Sequence, residues 1–241
     1  MRRPLHSLHL LLTDRSWLLG FAMESSGFAL YAGALALASL ALVQSIGAGG
    51  IGVLAYVSAR VSGRRLGARQ LSGVSLSVVG LLALAVSLAE SSGEGGRGST
   101  AGILVWIAGT AVVALVVLLL GRGTGELAAA QGIAGGLFFS IGDFSTKLAT
   151  QGGARFAFAA TLVIGYTLGT SLLQLGYQRG AALTVAGLAT LCTNAVPIAA
   201  GTIVLKEPVP PGILGALRIL AYVAVTAGAI LLASPDQSTP G

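Results

Sequence analysis

Apolar stretches about as long as a membrane is thick recur along almost the whole chain, separated by gaps of only a few residues. A helix of about 20 residues crosses the ~30 Å hydrocarbon core with every backbone N–H and C=O satisfied inside the segment. The stretches fall at 16–39, 41–60, 70–90, 101–120, 127–148, 156–177, 181–205 and 212–233. They predict an all-α, polytopic transmembrane helix bundle of about eight spans. The least marked division is the first: residues 16–60 form one apolar tract, with the turn expected near Gln44-Ser45.

Charge supports this reading and excludes others. Only 9% of residues are charged, against about 25% in soluble domains. The net charge of +6 does not indicate nucleic acid, because the twelve arginines and two lysines are spread over the gaps between apolar runs. With the N-terminus inside, the inner face receives Arg2, Arg3, Arg15, Arg60, Arg64, Arg65, Arg69, Arg122 and Arg179. The outer face receives Arg97, Lys147, Arg155, Lys206 and Arg218. Nine against five follows the positive-inside rule and places both termini in the cytoplasm, with the chain multi-pass in the cell membrane. Residues 1–15 read as a basic cytoplasmic approach segment, too short in apolar residues for a signal-peptide core. Residues 234–241 have nothing to bury and are expected to be disordered.

Several motifs carry no chemistry. Gly47 to Gly52 mimics a dinucleotide loop without a strand or a βαβ unit around it. Gly121 to Gly125 lacks the Lys-Ser/Thr of a phosphate-binding loop. Gly132 and Gly136 form a small-xxx-small pair, a packing feature. Cys192 is the single cysteine, so no intrachain disulfide forms and a cysteine-based metal site is not credible. His6 and His9 are too few for a metal site. No Ser/His/Asp arrangement falls at one membrane face, so neither an enzyme nor a cofactor is expected.

The internal repeat is more specific. Residues 41–90 read as helix, polar hinge and helix, with Arg65 eight residues before Gly73; residues 181–234 repeat the plan, with Glu207 eight residues before Gly215. The charge count puts one hinge inside and the other outside, so the copies have opposite topology. Duplicated bundles of this kind are the usual build of secondary transporters.

Thr193-Asn194-Ala195-Val196-Pro197 through Leu205-Lys206-Glu207-Pro208 to Gly215 resembles the closing helix pair of an EamA-type repeat, which defines the drug/metabolite transporter superfamily. Trp17-Leu18-Leu19-Gly20 with Glu24, Phe28 and Tyr31 looks like a helix opening in the NIPA-like magnesium transporters, a branch of that group. Gly135 to Ser140 through Lys147 is similar to the first helix of that branch's second repeat. The resemblance implies two inverted repeats: a first at 16–90 lacking its first helix, a linking span at 101–120 and a second at 127–233. It also implies a further span before Trp17, and a glutamate where this chain has Arg65.

An ionisable group inside a span costs about 2.5–3.5 kcal/mol on insertion scales, so each needs a reason. Glu24 lies eight residues into its span, about 12 Å along the helix. It is read either as a proton or cation site, magnesium included, or as a hydrogen-bonded helix pin. Asp143 and Lys147 are spaced i, i+4, which suits an ion pair near the outer end or a polar lumen shared with Gln131 and Ser140. Thr193, Asn194 and Pro197 sit mid-span. Proline releases the carbonyl of Thr193, which together with the Asn194 amide would suit a cation or polar substrate, or mark a tolerated kink. Lys206 and Glu207 are read as a turn.

The expected function is secondary transport of a small polar solute or cation by alternating access, with Glu24 as coupling or cation site and Asn194 and Asp143 as polar contacts. The alternative is a non-transporting membrane protein, or a subunit whose bundle is completed by a small membrane partner. Glycine-rich faces suit a homodimer and intramolecular packing equally.

Overall fold

The computed structural model describes residues 15–61, 67–88, 96–180 and 182–233. The leading segment 1–14, the tail and the first hinge with Arg65 lie outside the described residues. Those described are all-helical: α1 (Arg15–Leu37), α2 (Leu40–Val61), α3 (Ala68–Leu88), α4 (Thr100–Thr124), α5 (Leu127–Thr150), α6 (Phe158–Arg179), α7 (Ala182–Ile203) and α8 (Ile213–Ala233). A 3-10 turn, Gly153–Ala157, leads into α6. Five helical segments are long and apolar enough to cross a membrane: α1, α4, α5, the 3-10 turn with α6, and α7. The other three carry shorter apolar runs, Leu40–Gly50, Leu71–Leu84 and Ile213–Gly228. Together they indicate a membrane-embedded helix bundle.

Two details depart from the sequence reading for local reasons. The break between α1 and α2 falls at Ala38-Ser39, next to the division between the expected spans 16–39 and 41–60, but Gln44 and Ser45, expected near the turn, lie inside α2. Ser39 makes the difference: its hydroxyl accepts from the Leu42 N–H at 3.3 Å, as an N-cap serine does. Helix α4 continues to Thr124 and stops at Gly125, whose φ of 81° terminates it in the left-handed region. Its start is capped by Ser99, which accepts from the Gly102 N–H at 3.1 Å.

Helix α5 is the axis of one half of the bundle. It packs against α1, α4, α6 and α7 and is buried along most of its length. Small residues permit this. A Cβ on Gly136 would lie 2.5 Å from the Ala189 carbonyl oxygen and one on Gly132 2.7 Å from that of Val185, so these two glycines seat α7. On another side a Cβ on Gly165 of α6 would lie 2.8 Å from the Gly142 nitrogen. Such approaches are how membrane helices gain contact where lipid competes equally for apolar surface.

The other half pairs α3 with α8 and sets α2 against α3, α7 and α8. Gly80 meets Val225, and Gly228 meets Gly73 and Ser77. A Cβ on Gly228 would stand 2.8 Å from the Gly73 carbonyl oxygen and 2.9 Å from the Ser77 nitrogen, both backbone atoms. Gly228→Ala is therefore expected to force α3 and α8 apart and cost about 1–3 kcal/mol, the usual range for overpacking. A lowered unfolding midpoint in detergent would register it; an unchanged midpoint would mean the two helices are not closely apposed.

Candidate functional site: a buried carboxylate among four helices

Asp143 is the centre of the polar interior. It sits seven residues before the end of α5, about 10 Å along the helix, and is 6% exposed. Gly142 beside it has no side chain, so the Tyr166 ring lies directly on α5; a Cβ there would be 3.1 Å from the ring. The close approach of Gly165 brings α6 near enough for the Tyr166 hydroxyl to donate to Asp143 Oδ1 at 2.7 Å. From α1 the Tyr31 hydroxyl donates to the same oxygen at 2.9 Å. Gln44 of α2 donates its side-chain N–H to the Tyr31 oxygen at 2.7 Å. Four helices thus converge on one carboxylate.

Aromatic rings wall this cluster. Phe28 lies edge-on to Tyr166 with centroids 5.9 Å apart, bridging α1 and α6, and Phe139 stands 6.0 Å from Tyr166. Two phenols on one oxygen stabilise a charged carboxylate, since bonds to ionised acceptors are stronger than neutral ones.

Lys147, one turn beyond Asp143, reaches across to the end of α1. Its ammonium donates to the carbonyls of Leu35 at 2.6 Å and Ala38 at 2.7 Å, which are orphaned at the end of α1. Across the same break Glu207 accepts from the N–H of Leu40 at 2.5 Å and of Ala41 at 3.0 Å, the first donors of α2. A cation at a helix C-terminus and an anion at an N-terminus each complement the helix dipole. Burial pushes the Glu207 carboxyl up; the two backbone donors and the Lys147 charge pull it back. Glu207 is thus more than the turn residue expected, while Lys206, with φ 53°, makes the turn itself. Arg218 does similar work for α3, donating to the Ser87 carbonyl at 2.8 Å and to the Pro208 carbonyl at 3.0 Å.

The remaining candidates are not brought to Asp143. Glu24 lies on an exposed face of α1. Ser140 donates to the carbonyls of Gly136 and Cys192, both at 2.8 Å, which turns it toward α7. Asn194 is buried but donates to the Thr190 carbonyl at 2.8 Å, one turn back in its own helix. Thr193 is half-buried and Pro197 is fully buried within α7. Gln131 is buried with its side-chain oxygen unpaired among the described residues. The partners the sequence did not assign to Asp143 are Tyr31, Gln44 and Tyr166. Only Phe28 and Tyr31, three apart on one helix face, gave a local signal.

Comparison with protein-family models, curated proteins and solved structures finds no match to this chain.

Proposed function

We propose that this is a secondary transporter of a small polar solute or cation, built as an eight-span bundle with two inverted repeats on the plan of the drug/metabolite transporters. The observation that carries the reading is Asp143: a carboxylate held inside an apolar bundle by neutral donors from separate helices. Intramembrane acids in such settings mark ion pathways and proton relays. In this reading Asp143, rather than Glu24, is the coupling or cation site. Tyr31 and Tyr166 are its exchangeable ligands, and Gln44 fixes Tyr31.

Orientation with both termini in the cytoplasm belongs to the same proposal. Among the five cations of the outer end, Lys147, Arg155 and Arg218 are engaged with backbone carbonyls; Arg218 is itself buried, so the charge count there includes cations that hold the fold together. The repeat reading is supported by the partnering of α2 with α3 and of α7 with α8, and by the packing of α3 on α8.

Magnesium remains one candidate cargo. Among the described residues no three of His, Cys, Asp and Glu converge. A magnesium ion at Asp143 would therefore take one carboxylate and complete its octahedral shell from retained waters and neutral oxygens.

The test is flux into sealed proteoliposomes, reading internal magnesium and internal pH together, for wild type, Asp143→Asn and Glu24→Gln. Asp143→Asn keeps the shape but removes the charge, and a fall of at least tenfold in flux is expected. Glu24→Gln is expected to retain it. Flux that survives Asp143→Asn would remove Asp143 from the pathway, and flux lost only in Glu24→Gln would return the role to α1.

A further inference from the structure

A second feature lies between α4 and α7, away from the carboxylate cluster. Its outer end is closed by the segments that flank the two helices: a Cβ on Gly98 would lie 2.6 Å from the Val204 carbonyl oxygen, and one on Gly102 3.8 Å from the Val204 side chain. Deeper in, at Gly109, a Cβ would meet nothing within 4 Å. The result is a slot of about 980 Å³ floored by Leu137 of α5 and walled by Val105, Trp106 and Val113 on one side and Val196 and Ala199 on the other. Its surface is overwhelmingly apolar and it includes none of the Asp143 ligands.

The slot's outer end is cationic. Lys206 lines it and is exposed. Arg97 is exposed one residue from Gly98 and lies within Coulombic range of Arg155. Arg155 is fixed there by its bond to the Gly98 carbonyl at 2.9 Å and by Gln151. The segment 96–99 runs against 204–206: a Cβ on Gly96 would lie 3.0 Å from the Leu205 carbonyl oxygen and 3.8 Å from the Lys206 Cβ. Among the described residues Glu207 is the acid next in sequence, and its carboxylate is committed to the start of α2. Lys206 thus lines the outer end of the slot, and Arg97 and Arg155 stand on or beside the segment that packs against it.

We propose that this slot binds an anionic phospholipid, with an acyl chain between α4 and α7 and the phosphate at Lys206, Arg97 and Arg155. The complementarity is double. An apolar, one-sided slot at membrane depth selects a chain, and the cationic rim selects a negative headgroup over a zwitterionic one. Membrane embedding is all the inference needs; it stands whether or not Asp143 carries transport.

The experiment is native mass spectrometry of the full chain released from bilayers containing equal phosphatidylglycerol and phosphatidylcholine, with unfolding midpoints in each lipid alone. Wild type is expected to retain one phosphatidylglycerol and to melt higher in that lipid. Arg97→Gln with Lys206→Gln should weaken retention roughly tenfold or more and erase the difference between lipids. Gly109→Leu grows into open space, so it should fold normally in phosphatidylcholine yet lose the retained lipid. Equal retention of both lipids by wild type would overturn the headgroup part of the proposal. Retention unchanged in Gly109→Leu would overturn the slot. A dimer that forms in either lipid and dissociates in Gly109→Leu would show that a second copy of the chain fills the space instead.

Discussion

Gly136→Val is expected to abolish the folded protein. The added Cβ alone would stand 2.5 Å from the Ala189 carbonyl oxygen and 2.8 Å from the Cys192 Cβ, and the two methyl groups beyond it have nowhere to go. Relief requires moving α7 off α5. That movement would also break the Ser140 bond to the Cys192 carbonyl and open the cluster of Ala134, Leu137 and Val196. Overpacking at one core site costs about 1–3 kcal/mol when neighbours can give; here backbone stands in the way, and the loss should exceed that range. With total stabilities of about 5–15 kcal/mol, little folded material should survive. Gel filtration in mild detergent should show aggregate in place of the sharp wild-type peak. Gly109→Val is the control, since open space faces that position. A sharp peak for Gly136→Val would show that α5 and α7 do not meet as described.

Glu207→Ala should be nearly as damaging by a different route. It strips the acceptor from two buried N–H groups at the start of α2 and removes the negative charge facing Lys147. Bonds to charged groups contribute about 1.5–3 kcal/mol, and breaking one side of a buried charged arrangement costs about 3–5 kcal/mol. A drop within that span is expected in denaturant or thermal unfolding. Lys147→Met should cost less, because the carbonyls of Leu35 and Ala38 each keep a second lone pair for other donors. The double variant separates clamp from coincidence. If Lys147 and Glu207 act together on the α1–α2 break, its loss should fall short of the two single losses combined; strict additivity would make them independent caps.

The helices were legible in the sequence because hydropathy over about 20 residues is a strong, local signal. The span expected at 127–148 is a helix from Leu127 to Thr150, and that at 212–233 runs from Ile213 to Ala233. The turn expected near Gln44-Ser45 shows where the signal ends: the spans 16–39 and 41–60 divide where the chain does, but these two residues lie inside α2. Gln44 looked like a turn residue because it is polar within an apolar tract, whereas it is polar because it reaches Tyr31. Ser39, the true cap, was hidden by apolar neighbours on both sides. Asp143 was visible as a charge in a span, but its ligands come from residues 112 and 23 positions away, and no spacing rule links them. Lys147 adds a partner set that spacing could not show: the i, i+4 rule looks only along its own helix, whereas its ammonium also reaches the carbonyls of Leu35 and Ala38 at the end of α1. Glu24 drew attention by its depth in a span and by the resemblance around Trp17 to Tyr31; the structure leaves it on an exposed face of α1.

The dominance of α5 bears on how such a chain is made. As it leaves the ribosome N-terminus first, its opening four helices have few partners among themselves: α2 lies on α3, α1 barely touches α2, and α4 finds its main surface on α5. The mate of α3 is α8, the last helix to emerge. Insertion of the early segments must therefore run well ahead of their assembly. Apart from the contact of α2 with α3, they wait in the bilayer largely unpartnered until synthesis reaches residue 127, and α3 waits longer still for α8. A chain interrupted at Gly125 would be anchored but coreless, the kind of half-product that membrane quality control removes.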